Sequence, residues 1–126
     1  MEPNQQHINA ERERFLAYLG SRGIGRTTAA ETLGNGLDKF VSELAKLHEM
    51  GETALTTARE TKDGYAVVNP LVKMRLQRDR AYASLFEALG GAEALFTLPQ
   101  PILSAVGDYT RQKYEGIENA CMLHVR

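Results

Sequence analysis

A chain of 126 residues has room for one domain with a modest core and is short for two. With 43% apolar and 25% charged residues it has the composition of a folded protein, and its formal charge of −1 gives no whole-molecule support for nucleic-acid binding, so any basic surface must be local. No run approaches the roughly 18 apolar residues of a membrane span, the start Met1-Glu2-Pro3-Asn4 lacks the regions of a secretory signal, and the single Cys121 has no intramolecular disulfide partner, so a cytoplasmic protein with no membrane contact is expected.

Residues 1–7 are polar and read as a flexible arm. From Ile8, the apolar positions Ile8, Phe15, Leu16, Tyr18 and Leu19 among Glu11, Arg12, Glu13 and Arg14 predict a short amphipathic helix with Asn9 as its N-cap. Gly20, Gly23 and Gly25 break it. Thr28 and Glu31 have the spacing of a capping box and predict a second helix start. Leu33, Leu37, Phe40, Val41, Leu44, Leu47, Met50, Leu55 and Ala58 keep one helical face across Gly34-Asn35-Gly36, which favours one long helix over 28–60; the rival reading breaks it at Gly34.

The sharpest punctuation follows. Asp63-Gly64 has the chemistry of a tight turn with positive φ at Gly64, and Tyr65 to Val68 is β-branched and aromatic enough to lie extended. Asn69 as N-cap and Pro70 at the first helical position then open a helix that Gly90-Gly91 ends, so Gly64, Asn69 and Pro70 are the structural turn residues. A loop over 61–69 makes the two long helices antiparallel, as a hairpin. Pro99-Gln100-Pro101 forces a break before a last segment whose apolar residues recur at helical spacing. The expected organisation is all-α: an arm over 1–7, N-terminal helices and a central helical hairpin over 8–98, and a C-terminal helical segment over 99–126. Phe96, Leu98, Ile102, Leu103, Val106, Ile117 and Leu123 need more cover than one thin hairpin gives, so an oligomer larger than a dimer is expected.

Motifs for chemistry are weak. Cys121 and His124 lie one helical turn apart, but His7 and His48 supply no convincing second pair for zinc, and no orienting acid or oxyanion hole accompanies a Cys–His nucleophile. The glycines before Arg26 lack the lysine of a phosphate loop, and Glu43, Glu49 and Glu52 fall on the expected exposed side of the long helix. No cofactor, no metal and no enzymatic activity are expected. Two basic groups remain: Arg12, Arg14, Arg22 and Arg26 around the first helix, and Lys73, Arg75, Arg78 and Arg80 on the third. Their bland reading is solvated surface or salt bridging. A helix-turn-helix made from 9–19 and 26–34, with Arg26-Thr27-Thr28 pointing outward, is conceivable.

The run Gly36-Leu37-Asp38-Lys39-Phe40 through Thr61, then Gly64-Tyr65, then Asn69-Pro70-Leu71-Val72-Lys73-Met74, and finally Leu89-Gly90, resembles the core of one family of tailed-phage terminase small subunits over about residues 14–90. In that family a long helix is followed by a glycine-containing loop, an Asn-Pro that begins a second long helix, and a Leu-Gly or Phe-Gly at its end. After Gly91 this chain departs from the family's Thr-Pro and arginine-bearing segment. The resemblance implies a non-enzymatic DNA-packaging component in the host cytoplasm. It would form a homo-oligomeric ring, bind double-stranded phage DNA through some of the eight basic residues, and deliver it to a terminase large subunit carrying the ATPase and nuclease. Of the two groups, Arg12, Arg14, Arg22 and Arg26 are the favoured contacts, because the first helix is freer to face outward. The alternative is an α-helical oligomeric adaptor or scaffold that does not touch nucleic acid.

Overall fold

The computed structural model describes residues 3–125, the side chain of Leu95 excepted. Six helices account for nearly all of them: α1 Gln5–Ser21, α2 Arg26–Leu33, α3 Asn35–Thr61, α4 Gly64–Ala88, α5 Ala94–Thr97 and α6 Gln100–His124. No strand occurs among the described residues, and the protein is all-α.

α1 begins earlier than its apolar pattern suggests. The Asn4 side chain accepts a hydrogen bond from the His7 backbone N–H at 2.9 Å and caps the helix, so residues 5–7 are helical and not an arm; Met1 and Glu2 lie outside the described residues. Asn9 is consequently inside α1, where its side-chain oxygen accepts from Gln5 and Arg12. Phe15, Leu16 and Leu19 turn inward and are buried.

The long helix expected over 28–60 is two helices. Gly34, at φ +49°, donates its N–H to Ala30 to close α2 and accepts from Leu37 to open α3. The rival reading holds. The apolar rhythm survives the break because Leu33 and Leu37 both face the same core, and side-chain periodicity is blind to one residue of altered backbone. Nor does the Thr28–Glu31 box form: α2 starts at Arg26 behind Gly25, which leaves Thr28 already inside the helix.

The turn between α3 and α4 is also shorter and differently built. Only Lys62 and Asp63 lie between the two helices, and the left-handed residue is Lys62, at φ 52°, whose N–H reaches the Ala58 carbonyl at 3.0 Å. Asp63 caps α4 by accepting from the Tyr65 N–H at 3.0 Å, so Gly64 is the first helical residue and has no positive φ. Asn69 and Pro70 sit inside α4 rather than at its start, and Pro70 offers no N–H to the Ala66 carbonyl one turn earlier. Tertiary burial decides this: extended, Tyr65–Val68 would have no strand to pair with, whereas helical phase sends Val67 onto α3 beside Met74, Ala81 and Leu85, all buried.

α3 and α4 run antiparallel. A Cβ at Gly36 would meet the Leu85 side chain, Gln77 donates to the Glu43 backbone and side chain, and Gly51 faces Met74, so the partners recede along α4 as they advance along α3. α4 stops as its glycines predict. Gly90 and Gly91 take φ of 107° and 101°, and their N–H groups return to Glu87 and Phe86 in a Schellman closure. Leu98 and Pro99 are extended, and α6 then runs unbroken through Gly107 and Gly116.

α6, the helix of the C-terminal segment, packs on α1, α3 and α4; Arg126 lies outside the described residues. Ile102, Ala105, Val106, Tyr114 and Cys121 are buried, and a Cβ on Gly51 would lie 2.9 Å from Ile117 and 3.4 Å from Met74, so α3, α4 and α6 meet at that glycine. Phe15 stacks edge-on with Phe40 and with Tyr109 at 5.3 and 5.2 Å, tying α1 to α3 and α6; fully burying each such ring is worth about 1.5–3 kcal/mol. Much of the apolar surface expected to need neighbouring subunits is thus covered within the chain: Ile102 and Val106 are in the core, Leu98 and Ile117 pack against it, and only Phe96 and Leu123 of that group are strongly exposed.

Candidate nucleic-acid interface

α1 and α2 are joined by residues 22–25, and Arg26, Thr27 and Thr28 are exposed in the first turn of α2. The four arginines around this joint do not form a free basic patch. Arg12 donates to Asp38 at 2.7 Å, Arg14 to Glu11 at 3.0 Å and Arg22 to Asp108 at 2.7 Å, while Arg26 grips both oxygens of Glu13 at 2.9 and 3.0 Å. The Arg22 and Arg26 hydrogen bonds hold the Asp108 and Glu13 carboxyls below their usual range, so both carboxylates stay charged opposite their arginines at neutral pH. Four carboxylates from α1, α3 and α6 thus stand opposite the four arginines around this joint.

On α4 the four basic residues divide. Arg75 donates to the Tyr114 hydroxyl at 3.3 Å, and Arg78 lies 5.1 Å from the centre of the same ring while also reaching Asp79 at 3.4 Å. Both therefore lean toward α6. Lys73 and Arg80 are exposed, and among the described residues neither has an acidic partner; two helical turns separate them on one flank of α4. Lys73 also lines an open groove of about 760 Å³ beside Pro70 and the α3 residues Met50, Thr53 and Thr57.

The outward face of α4 is apolar. Tyr65, Val68, Val72 and Leu76, at steps of three, four and four, point away from α3 and are 89%, 49%, 48% and 64% exposed. They make up four of the seven large apolar side chains found exposed among the described residues. α4 therefore has one face committed to the core and an opposite face with no cover.

A buried polar joint was not foreseen. Glu11 is fully buried and accepts from Lys113 at 2.8 Å, from Arg14 and from the Tyr109 hydroxyl. Burial pushes its carboxyl upward, but the Lys113 charge and the hydrogen bonds from Lys113, Tyr109 and Arg14 together outweigh this and lower its pKa, so Glu11 stays ionised; burial and the Glu11 charge push the Tyr109 hydroxyl well above its ordinary value. Lys113 also donates to His48 Nδ1 at 3.2 Å, which leaves the imidazole proton on Nε2, facing Glu52 at 3.0 Å. Burial, then the Lys113 and Arg14 charges, lower the His48 pKa. The sequence signal was Glu11 itself, a charge on the inward stripe with Ile8, Phe15 and Leu19.

Among the described residues every buried side-chain nitrogen and oxygen has a partner, those of this joint included. Of the three α3 carboxylates expected on the exposed side, Glu52 is exposed as expected, while Glu43 and Glu49 are half-buried. Glu43 is not on an exposed side but takes a 2.6 Å bond from Gln77 between α3 and α4, Glu49 pairs with His7 at 2.5 Å, and Glu52 pairs with His48. Cys121 is buried and burial raises its thiol pKa, while His124 accepts a long bond from Arg59. No group of three potential metal ligands occurs among the described residues, and none of their helices is long and apolar enough to cross a membrane. Compared with known proteins, the chain matches no family model, no curated protein and no solved structure.

Proposed function

We propose that the chain is a self-assembling, non-enzymatic subunit of viral DNA packaging. In this reading it is a terminase small subunit whose homo-oligomeric ring engages double-stranded phage DNA in the host cytoplasm and hands it to the large ATPase and nuclease subunit. The observation that carries the reading is the outward face of α4, where an apolar row suited to a neighbouring subunit runs beside the unopposed Lys73 and Arg80. Two further points support it: the segments that carry the resemblance fall on α3 and α4 and their ends, and repetition of two cations per subunit builds a basic surface that a net charge of −1 conceals. The resemblance is weakened at Asn69-Pro70, which lies within a helix instead of opening one.

Titration of fluorescent duplex DNA at rising salt tests this. Binding should weaken steeply with salt, and Lys73→Ala with Arg80→Ala should flatten the log–log slope by somewhat less than two phosphate contacts per bound subunit. Arg22→Ala with Arg26→Ala should change it less. Absence of binding at low salt would refute the packaging role. It would favour the second reading, an oligomeric helical adaptor or scaffold without nucleic acid, which the pairing of Arg12, Arg14, Arg22 and Arg26 with carboxylates already supports.

A further inference from the structure

We propose that the seam between residues 48–59 of α3 and residues 113–124 of α6 is a pH-sensitive clasp: acid parts the second half of α6 from α3 while α1 stays in place. The clasp does not depend on DNA binding. It follows from where the three histidines of the chain stand and from what each of them faces.

Two of the histidines lie at the ends of this seam, and each accepts a hydrogen bond from a cation on the opposite helix. Lys113 Nζ of α6 donates to His48 Nδ1 of α3 at 3.2 Å, and Arg59 Nε of α3 donates to His124 Nε2 of α6 at 3.4 Å. Both pairs are offset by 65 residues, so the two helices run parallel here in one register, with the fasteners about three turns apart. Each bond needs the lone pair of a neutral ring. A proton on that nitrogen removes the acceptor and sets a second positive charge against the first, so acid turns both fasteners into repulsions.

The surrounding charges do not cancel this. His48 is faced by Lys113 from α6, by Arg14 and Glu11 from α1, and by Glu52 one turn along α3; burial and then the two cations outweigh the carboxylates and hold its pKa below the ordinary value. Glu11 is already shared among Lys113, Arg14 and Tyr109, and Glu52 is exposed. Against His124 stands Arg59, while α4 brings Arg75 and Arg78 to the Tyr114 ring of the same half of α6. The third histidine has the opposite setting. His7 of α1 faces the Glu49 carboxylate at 2.5 Å, so a proton there makes an ion pair between α1 and α3. Between the fasteners the seam is thinly held: Ile117 sits over Gly51, and Ala54 and Ala58 continue that side of α3 with one-carbon side chains. The first half of α6 is anchored separately, by buried Ile102, Ala105 and Val106 and by Arg22 on Asp108.

Cys121, the single thiol of the chain, is buried on α6 between the two fasteners and reports their opening. With dithiodipyridine as probe and glutathione as the reference at each pH, Cys121 of the full chain should react about 10-fold faster at pH 5.5 than at pH 7.5, because opening takes up protons that the closed seam refuses. Helical circular dichroism should not change. The double substitution His48→Gln with His124→Gln, which keeps a neutral acceptor at both places, should remove the increase. In the unsubstituted chain, amide exchange corrected for its intrinsic pH dependence should speed up at pH 5.5 over residues 113–124 and not over residues 5–21. Cys121 equally protected at both pH values, the same increase in the double glutamine variant, or exchange that speeds up across all the helices together would each overturn the clasp.

Discussion

Replacing Glu11 by leucine should be among the most damaging single changes in this protein, although it swaps a charge for an apolar group inside the core. Glu11 is fully buried and the Lys113 side chain is only 12% exposed, so the change leaves an ammonium group largely out of water with His48 Nδ1 as its remaining acceptor. Breaking one side of such a pair costs about 3–5 kcal/mol. At roughly 4 °C per kcal/mol for a domain of this size, the melting temperature should fall by about 12–20 °C. Lys113→Met should cost less, because Arg14 and Tyr109 still donate to Glu11. The double variant should recover most of the loss and lie within about 1–2 kcal/mol of the starting protein, since removing both charges also removes the desolvation penalty. Thermal and urea melts of the four proteins close the cycle. Additive losses, or a Glu11→Leu variant that melts within a few degrees of the original, would show that the two groups do not depend on each other and would refute the joint as described.

Acidification should act through His48: its folded pKa is depressed, so as pH falls below its ordinary value near 6.5 the unfolded chain takes up a proton that the folded one refuses. The melting temperature should therefore drop between about pH 7 and 5, and His48→Gln should flatten that part of the profile; an unchanged profile would contradict the burial of His48 beside Lys113. Gly51→Ala should destabilise by about 1–3 kcal/mol because its Cβ meets Ile117 at 2.9 Å, whereas Gly116→Ala, whose Cβ meets nothing within 4 Å in mid-helix, should stabilise by about 0.5–1 kcal/mol. Equal effects in urea melts would show that α3, α4 and α6 do not converge at Gly51. Pro70→Ala should raise stability by about 1–3 kcal/mol by supplying the missing N–H to Ala66 within α4, and a loss instead would return Pro70 to the role of a helix start.

What the sequence determined by itself was local and periodic. The three-and-four spacing marked the amphipathic helices and hence the all-α class, and Gly90-Gly91 marked the end of α4, because left-handed backbone is cheap only for residues without a Cβ. The same spacing could not place the break at Gly34, since both flanking helices serve one core and their apolar residues stay in phase. It also misread Gly64, Asn69 and Pro70, whose turn chemistry is sound locally but yields to the burial of Val67 against α3. The candidate interface was less legible still. Whether an arginine is free depends on carboxylates far away in the chain: Asp108 stands 86 residues from Arg22, and Asp38 stands 26 from Arg12. Only the packing of α6 and α3 around α1 decides that those cations are neutralised, that Glu11 lies inside, and that the uncovered apolar face belongs to α4, because charge pairing and burial are properties of neighbours in space and not in sequence.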